Sequence, residues 1–293
     1  TGRAYDWYNV GKLRNSGFEF DLNVKLIQKK DWYWDMSVNG YTYANKMLNL
    51  PDEYKVSGMP NGNQRIYEGK DIYRWEMRQF AGLDEKGNSL WYMDRDLTDG
   101  EGNVVGVEKV TTGDATEATQ YLLEKSALPD FTGGLNTTLR WKSLDLTIMT
   151  NFQFGGYGYD YDFSAFSSAN FPMNRLKNYA DAWNPETGKG SAPIWNTNDS
   201  NINASSDRFL ISKTYFNLRN ITLGYRVNQK FVRRIGLSAI DVNFSVNNVC
   251  AFSNMRQMLT DPMKVADLIL VNRCQPGANK SPWRRQLKAV NPK

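Results

Sequence analysis

The sequence predicts an all-β protein, an antiparallel β-barrel that crosses a membrane. Three observations carry that expectation. Apolar residues recur at every second position over long stretches. The connections between those stretches are either very short or very long. The chain is also rich in aromatics yet hydrophilic on average: of 293 residues, 13% are Phe, Trp or Tyr and 23% are charged, and the mean hydropathy is −0.59. A barrel wall reconciles these facts, because only alternate residues face lipid while the others face a polar lumen. No window approaches the roughly 18 consecutive apolar residues that a membrane helix requires.

The first strand is read from Phe18 to Leu26, where Phe18, Phe20, Leu22, Val24 and Leu26 are apolar and Glu19, Asp21, Asn23 and Lys25 are not. Such period-two alternation is the mark of a strand with two unlike faces. Trp32 to Tyr43 continues it, with Trp34, Met36 and Val38 opposite Asp35, Ser37 and Asn39. The polar run 28–31 between them reads as a hairpin turn. A second hairpin joins Leu135–Trp141 to Leu144–Phe154 through Lys142 and Ser143. Further strands are expected at about 65–80, 215–227 and 240–249.

Residues 82–128 show little periodicity, and residues 155–214 contain a Gly/Tyr run, an expected short helix near Leu176–Trp183 and an Asn/Ser-rich stretch at 196–206. Connections of that length are unusual in a soluble sandwich, where most are 2–6 residues. They suit a barrel with short turns at one rim and long loops at the other. Hairpins alone leave two alternatives open, a secreted soluble β-sandwich that binds carbohydrate and a porin- or adhesin-type barrel. Loop asymmetry favours a barrel over a sandwich.

Composition excludes much chemistry. The chain has no histidine, which removes Ser-His-Asp and Cys-His nucleophiles and every His-based zinc or haem site. Cys250 and Cys274 offer neither a disulfide framework nor a metal spacing. Asp94-Arg95-Asp96 and Asp160-Tyr161-Asp162 place carboxylates two apart, as in some calcium loops, but neither has a full calcium-loop spacing, and a solvated loop is the plainer reading. Gly155-Gly156-Tyr157-Gly158 lacks the Lys-Ser/Thr pair and fingerprint helix of a phosphate loop. Nothing positions two carboxylates for glycoside cleavage. The expectation is a non-enzyme without metal or cofactor.

Ligand contacts are sought among loop aromatics. Tyr157, Tyr159 and Tyr161, with Phe163 and Phe166, offer ring faces for sugars, or else belong to the aromatic girdle at a membrane interface. Trp91, Trp183 and Trp195 lie away from alternating segments and are candidates for contact with a ligand or a partner protein, or for packing within the loops.

Several strings, in order, resemble the barrel of SusC-like TonB-dependent outer-membrane transporters. They are Asn15-Ser16-Gly17-Phe18-Glu19, Leu128-Pro129-Asp130-Phe131-Thr132-Gly133-Gly134-Leu135 and Asp181-Ala182-Trp183-Asn184-Pro185-Glu186-Thr187-Gly188. Tyr215-Phe216-Asn217-Leu218-Arg219-Asn220 through Tyr225, then Asn247-Asn248-Val249-Cys250-Ala251-Phe252 and Thr260-Asp261-Pro262, complete the set. The resemblance implies that residues 1–262 are the C-terminal half of a 22-stranded plugged barrel, open as a fragment. It also implies a SusD-like surface lipoprotein as lid, energy from the TonB complex through an N-terminal region not in this sequence, a glycan or peptide ligand, and a place in outer-membrane lipid. The opening Thr1-Gly2-Arg3-Ala4 is neither a leader sequence nor a Met start, so the chain is read as a piece of a longer one.

Residues 263–293 depart from that pattern. Pro276, Pro282 and Pro292 and the lack of alternation argue against a closing strand, and a shifted reading frame or a disordered, non-barrel tail is expected. The net charge of +5 sharpens the point. Residues 268–293 hold six Lys or Arg and no acid, whereas residues 1–267 hold 30 bases against 31 acids, a net −1. The basic balance lies in the tail and is no sign of a nucleic-acid partner.

Overall fold

The computed structural model describes residues 11–167, 182–196, 199, 201–202 and 204–253, together with the backbone of 267–276. Strands β1 (Lys12–Gln28) and β2 (Trp32–Asn49) form the first hairpin. A long excursion then carries β3 (Met59–Asn61), β4 (Gln64–Ile66), β5 (Arg74–Arg78) and β6 (Phe80–Leu83). It continues through β7 (Ser89–Thr98), β8 (Val104–Thr112) and β9 (Gln120–Ser126). The second hairpin is β10 (Phe131–Trp141) with β11 (Leu144–Phe154). Next come β12 (Tyr157–Tyr159), helix α1 (Tyr161–Phe166), β13 (Leu210–Ser212) and β14 (Tyr215–Arg226). Helix α2 (Gln229–Arg234), β15 (Leu237–Ser253) and β16 (Asp267–Pro276) follow.

Seven strands make one antiparallel sheet in the order β1-β2-β10-β11-β14-β15-β16. It is open: β1 and β16 are its two edges, and they do not pair with each other. No helix among the described residues is long and apolar enough to cross a membrane, so any crossing is made by strands.

Register explains the alternation. One row across the sheet reads Val24, Met36, Thr137, Ile148, Ile221, Val246, and the next on the same face reads Trp34, Leu139, Leu146, Leu223, Phe244. The opposite face carries Asp21, Asn39, Gly134, Asn151, Asn217 and, two residues along, Asn23, Ser37, Asn136, Met149, Asn220, Asn247. The apolar face is not covered: Phe18, Leu22, Leu223, Phe244 and Phe252 are all exposed. A soluble sandwich would bury those side chains against a second sheet.

Two aromatic belts bound the apolar face. Near the long-loop rim, Phe20, Phe131, Phe152, Phe216 and Phe252 follow one another across five strands, with successive ring centroids 5.9–6.4 Å apart. Near the short-turn rim Trp32 and Trp141 stand 5.8 Å apart, with Tyr225 exposed on β14. From Phe131 to Trp141 the 11 residues of β10 rise about 34 Å along the strand. Tilted by roughly 40°, that is about 25 Å of height, the apolar band of an outer-membrane barrel. Gly40 and Gly133 lie beneath the upper belt, where a Cβ would overlap the Phe131 ring at the first and press on Phe152 at the second.

The buried apolar residues lie in the excursions instead. Met47, Leu50 and Ile66 form one small core, Trp75, Met77 and Leu123 another, and Trp91, Ala115 and Ala118 a third. All long connections leave the rim at which β2, β11 and β15 end; the opposite rim holds the turns at 29–31 and 142–143 and the α2 segment.

Four details differ from the expectations. The strand expected at 65–80 is broken into β4 and β5 by a turn in which Gly69 has φ +82°. Residues 82–128, read as aperiodic, hold the three-stranded β6-β7-β8 sheet and β9. Both hairpin tips in that sheet share one turn, Asp84-Glu85-Lys86-Gly87-Asn88 and Asp99-Gly100-Glu101-Gly102-Asn103. In each, the Asp carboxylate accepts the backbone N–H of the Asn (2.7 and 2.8 Å) and of the residue two before it. The short helix expected near Leu176–Trp183 falls, up to residue 181, outside the described residues, and Ala182 and Trp183 are not helical. Finally, Asp267–Pro276 pairs along β15 where no strand was expected. Leu268, Ile269, Leu270 and Val271 are strong strand formers, a bare sheet edge accepts a strand through main-chain bonds alone, and Pro276 ends the strand, where a missing N–H is tolerated.

Candidate functional site

The site is built where the polar face meets the long loops. A hollow of about 940 Å³ lies against this face, lined by Glu19, Asp21, Asn39, Tyr41, Asn136, Asn151 and Arg219 among others. Alternation puts all but Arg219 there: each sits on the polar face of a strand whose alternate residues face the other way. Arg219 owes its place to a bulge, since β11 pairs with Leu218 and Asn220 and skips it, and β15 shifts opposite the same residue.

The face is held by amide and hydroxyl bonds between neighbouring strands. Asn220 donates to Asn247 Oδ1 at 2.6 Å and to Ser245 Oγ at 2.8 Å, and Thr222 and Ser245 hydroxyls meet at 2.8 Å. Asn151 donates to the Tyr215 hydroxyl at 3.2 Å. Arg140 pairs with Asp145, and Arg226 with Asp241 at 2.7 Å, nearer the short-turn rim. Such a surface is wet, polar and hydrogen-bonding. It suits passage or docking of a hydrophilic group.

The loops at the long-loop rim are folded, with small cores of their own. Glu76 is a buried anchor there, accepting the Tyr67 hydroxyl at 2.9 Å and pairing with Arg65 at 2.6 Å. Burial, and then its bond to Glu76, pushes the Tyr67 hydroxyl above its ordinary pKa. Tyr121 is pushed up to about 12, first by burial and then by its 2.6 Å bond to Asp94. At the base of these loops Lys213 donates to the Ala127 carbonyl at 2.6 Å, and burial lowers its pKa.

The six loop aromatics fall into three settings. Trp91 is fully buried (0% exposed), edge-on to Phe80 at 5.4 Å. Its place in a hairpin core, of which the aperiodic sequence of 82–128 gives no sign, keeps it from any ligand in this conformation. Tyr157 and Tyr159 are half-buried against Trp75, whose indole N–H donates to the Tyr157 carbonyl at 3.2 Å. Tyr161 is 68% exposed and meets Tyr159 edge-on at 4.7 Å. Trp183 is half-buried over Gly87, where a Cβ would overlap its ring, and the Ile194 N–H donates to the Gly87 carbonyl at 2.8 Å. Trp195, one residue further, is 45% exposed. The structure thus joins the three tyrosines in one cluster and ties Trp183 to the β6–β7 turn, and it leaves Tyr161 and Trp195 open to solvent.

One carboxylate of each acidic pair has a structural duty. Asp160 caps α1 by accepting the Phe163 N–H at 2.8 Å, and Asp94 holds Tyr121. Among the described residues no three Asp, Glu or Cys side chains converge on a metal position. Sequence reasoning missed the polar rows as a site. Asn39, Asn136, Asn151, Asn217, Asn220 and Asn247, all on the polar side of strands, were the available signal.

An uncovered apolar face, two aromatic belts and a polar face under long loops define the wall of a membrane-spanning β-barrel. Comparison with known proteins agrees. The chain is 25% identical over 273 residues to TonB-dependent receptor P3 of Formosa agariphila, covering 87% of this chain and 26% of that protein. It is 25% identical over 222 residues to the TonB-dependent receptor SusC of Bacteroides thetaiotaomicron, covering 74% of this chain and 21% of SusC. Among solved structures, the RagAB peptide transporter superposes with a TM-score of 0.66 at 24% identity, covering 84% of this chain and 26% of that one. No family model matches. The chain is homologous to TonB-dependent receptors, SusC among them, over most of its length, and has the fold of part of their barrel. It spans about a quarter of the length of these relatives.

Proposed function

We propose that the chain is part of the wall of an outer-membrane active transporter that imports oligosaccharide-like nutrients, with energy from TonB and a SusD-like surface lipoprotein as lid. The observation that carries this reading is the two-faced sheet: six strands in register present lipid-compatible rows on one side and amide-rich rows on the other, with the folded loops at one rim. Homology to TonB-dependent receptors supports it. In this reading residues 1–262 are the C-terminal half of the barrel and residues 263–293 a segment foreign to the family's pattern. The division follows the charge step, and β16 is then a chance occupant of a bare edge. Sequencing the coding DNA tests that division: an alternative frame yielding an alternating, aromatic-ending strand is the expected result, and its absence rejects the division.

Tyr161 and Trp195 are the open aromatic contacts for a sugar face, with Tyr157, Tyr159 and Trp183 behind them. Transport is tested by disrupting the gene in its own host and measuring growth on oligosaccharides and on peptides as sole nutrient. Loss confined to an oligosaccharide is the expected outcome. Loss confined to peptides rejects the substrate class, and unchanged growth on both rejects transport.

A further inference from the structure

The short-turn rim carries a charge pattern that the transport reading does not use. Its turns hold Lys29, Lys30, Lys142, Lys230, Arg233 and Arg234 against a single carboxylate, Asp31. The excursion at 50–130, on the opposite rim, holds 16 Asp and Glu against 9 Lys and Arg. Charge is therefore separated along the barrel axis, with the cations at one rim.

Helix α2 gives that rim a second feature. Asn228 caps it, its side chain accepting the Lys230 N–H at 2.9 Å, and Gly236 at φ +78° ends it. At about 100° per residue, Val232, Ile235 and Phe231 fall on one arc and Lys230, Arg233 and Arg234 on the opposite one. Val232 is fully buried and pins the helix, yet Phe231 and Ile235 are 58% and 53% exposed. Interaction with the helix dipole accounts for cations at the last turn. It does not account for the lysines of the other two turns, nor for two exposed apolar side chains beside a buried one. Both features continue the lower belt, where Lys142 Nζ lies 5.4 Å over the Trp141 ring in the manner of a cation reaching past an aromatic to headgroups.

We propose that the short-turn rim is a phospholipid-headgroup surface, with α2 lying in the interface plane. Phe231 and Ile235 enter the acyl boundary, and Lys230, Arg233 and Arg234, with the turn lysines, bind the phosphates of an anionic phospholipid. This rests on the lipid-facing reading of the apolar face. An exposed amphipathic turn with cations opposite its apolar arc is the pattern of interfacial helices, and basic residues near an anionic surface each strengthen binding.

The test uses the whole protein that contains this chain, extracted from its own outer membrane into neutral detergent micelles, with spin-labelled phosphatidylglycerol or phosphatidylcholine added in turn. The motionally restricted lipid fraction is measured, and circular dichroism confirms the strands in every variant. Phosphatidylglycerol should associate several-fold more strongly than phosphatidylcholine. K230Q/R233Q/R234Q should bring that ratio to within about twofold, while K55Q/K86Q/K189Q, in the loops, should leave it unchanged. F231S/I235S should weaken both lipids together. Equal association of the two lipids with the unaltered chain, an unchanged ratio in K230Q/R233Q/R234Q, or displacement of phosphatidylglycerol by inorganic phosphate would each overturn the proposal while sparing the membrane reading. A folded chain that takes up neither detergent nor lipid overturns both.

Discussion

Glycines mark the closest approaches in this molecule, and two of them sit at the same position of two like turns with different neighbours. Gly87 and Gly102 both hold positive φ, +83° and +86°, which costs a side-chain residue about 1 kcal/mol or more. Gly102 faces open space, whereas a Cβ on Gly87 overlaps Trp183. Gly102→Ala should therefore cost about 1 kcal/mol locally, and Gly87→Ala about 2–4 kcal/mol with release of Trp183. Limited proteolysis reads the difference: faster cleavage in the 182–194 segment for Gly87→Ala only. A second prediction concerns pH. An unfolded tyrosine ionises near 10, while Tyr121 holds its proton to about 12 because it is half-buried and bonded to Asp94. Its contribution is complete below pH 10 and is lost as pH rises through 12. Ultraviolet titration should show one late-ionising tyrosine that Tyr121→Phe removes. Such residue-scale features were only partly legible. The Asp-x-x-Gly-Asn repeat stood in the sequence, but the partner of Gly87 lies 96 positions away, and no local pattern announces so distant a contact.

Single strands of the wall obey a rule that can be broken on one side only. Ile148 and Thr147 are neighbours at the middle of β11, one in the apolar row and the other beside Thr138 and Thr222 on the polar face. Ile148→Arg should cost about 2–4 kcal/mol of assembly in lipid, whereas Thr147→Arg should assemble normally. The urea midpoint of lipid-embedded protein measures both. Elements with two unlike environments were legible for the same reason: β1, β2, β10, β11, β14 and β15 alternate because lipid and lumen demand it. The loop strands were not. The tip of β7–β8 meets solvent on both faces, with Leu97, Val104, Val105 and Val107 all exposed, so no alternation is imposed, and only their turns could have revealed them. β16 was hidden because its residues do not alternate and Pro276 stands at its end, whereas an open edge receives a strand through main-chain bonds alone.

At the scale of the whole molecule, the sheet has a beginning and an end. Unpaired backbone groups along β1 and β16 cost several kcal/mol each in lipid, so the 293-residue chain alone should neither insert stably in a bilayer nor conduct. Vesicles treated with it should retain a trapped dye. The central claim is that the apolar face meets lipid and the amide-rich face does not. It is tested most directly by single cysteines placed in turn at positions 144–154 of β11, in the protein within isolated outer membranes and with Cys250 and Cys274 replaced by serine. Labelling by a water-soluble maleimide should alternate without interruption, with 145, 147, 149, 151 and 153 reactive and 146, 148, 150 and 152 protected. Uniform labelling along the strand, or protection of the odd positions instead, would contradict the claim.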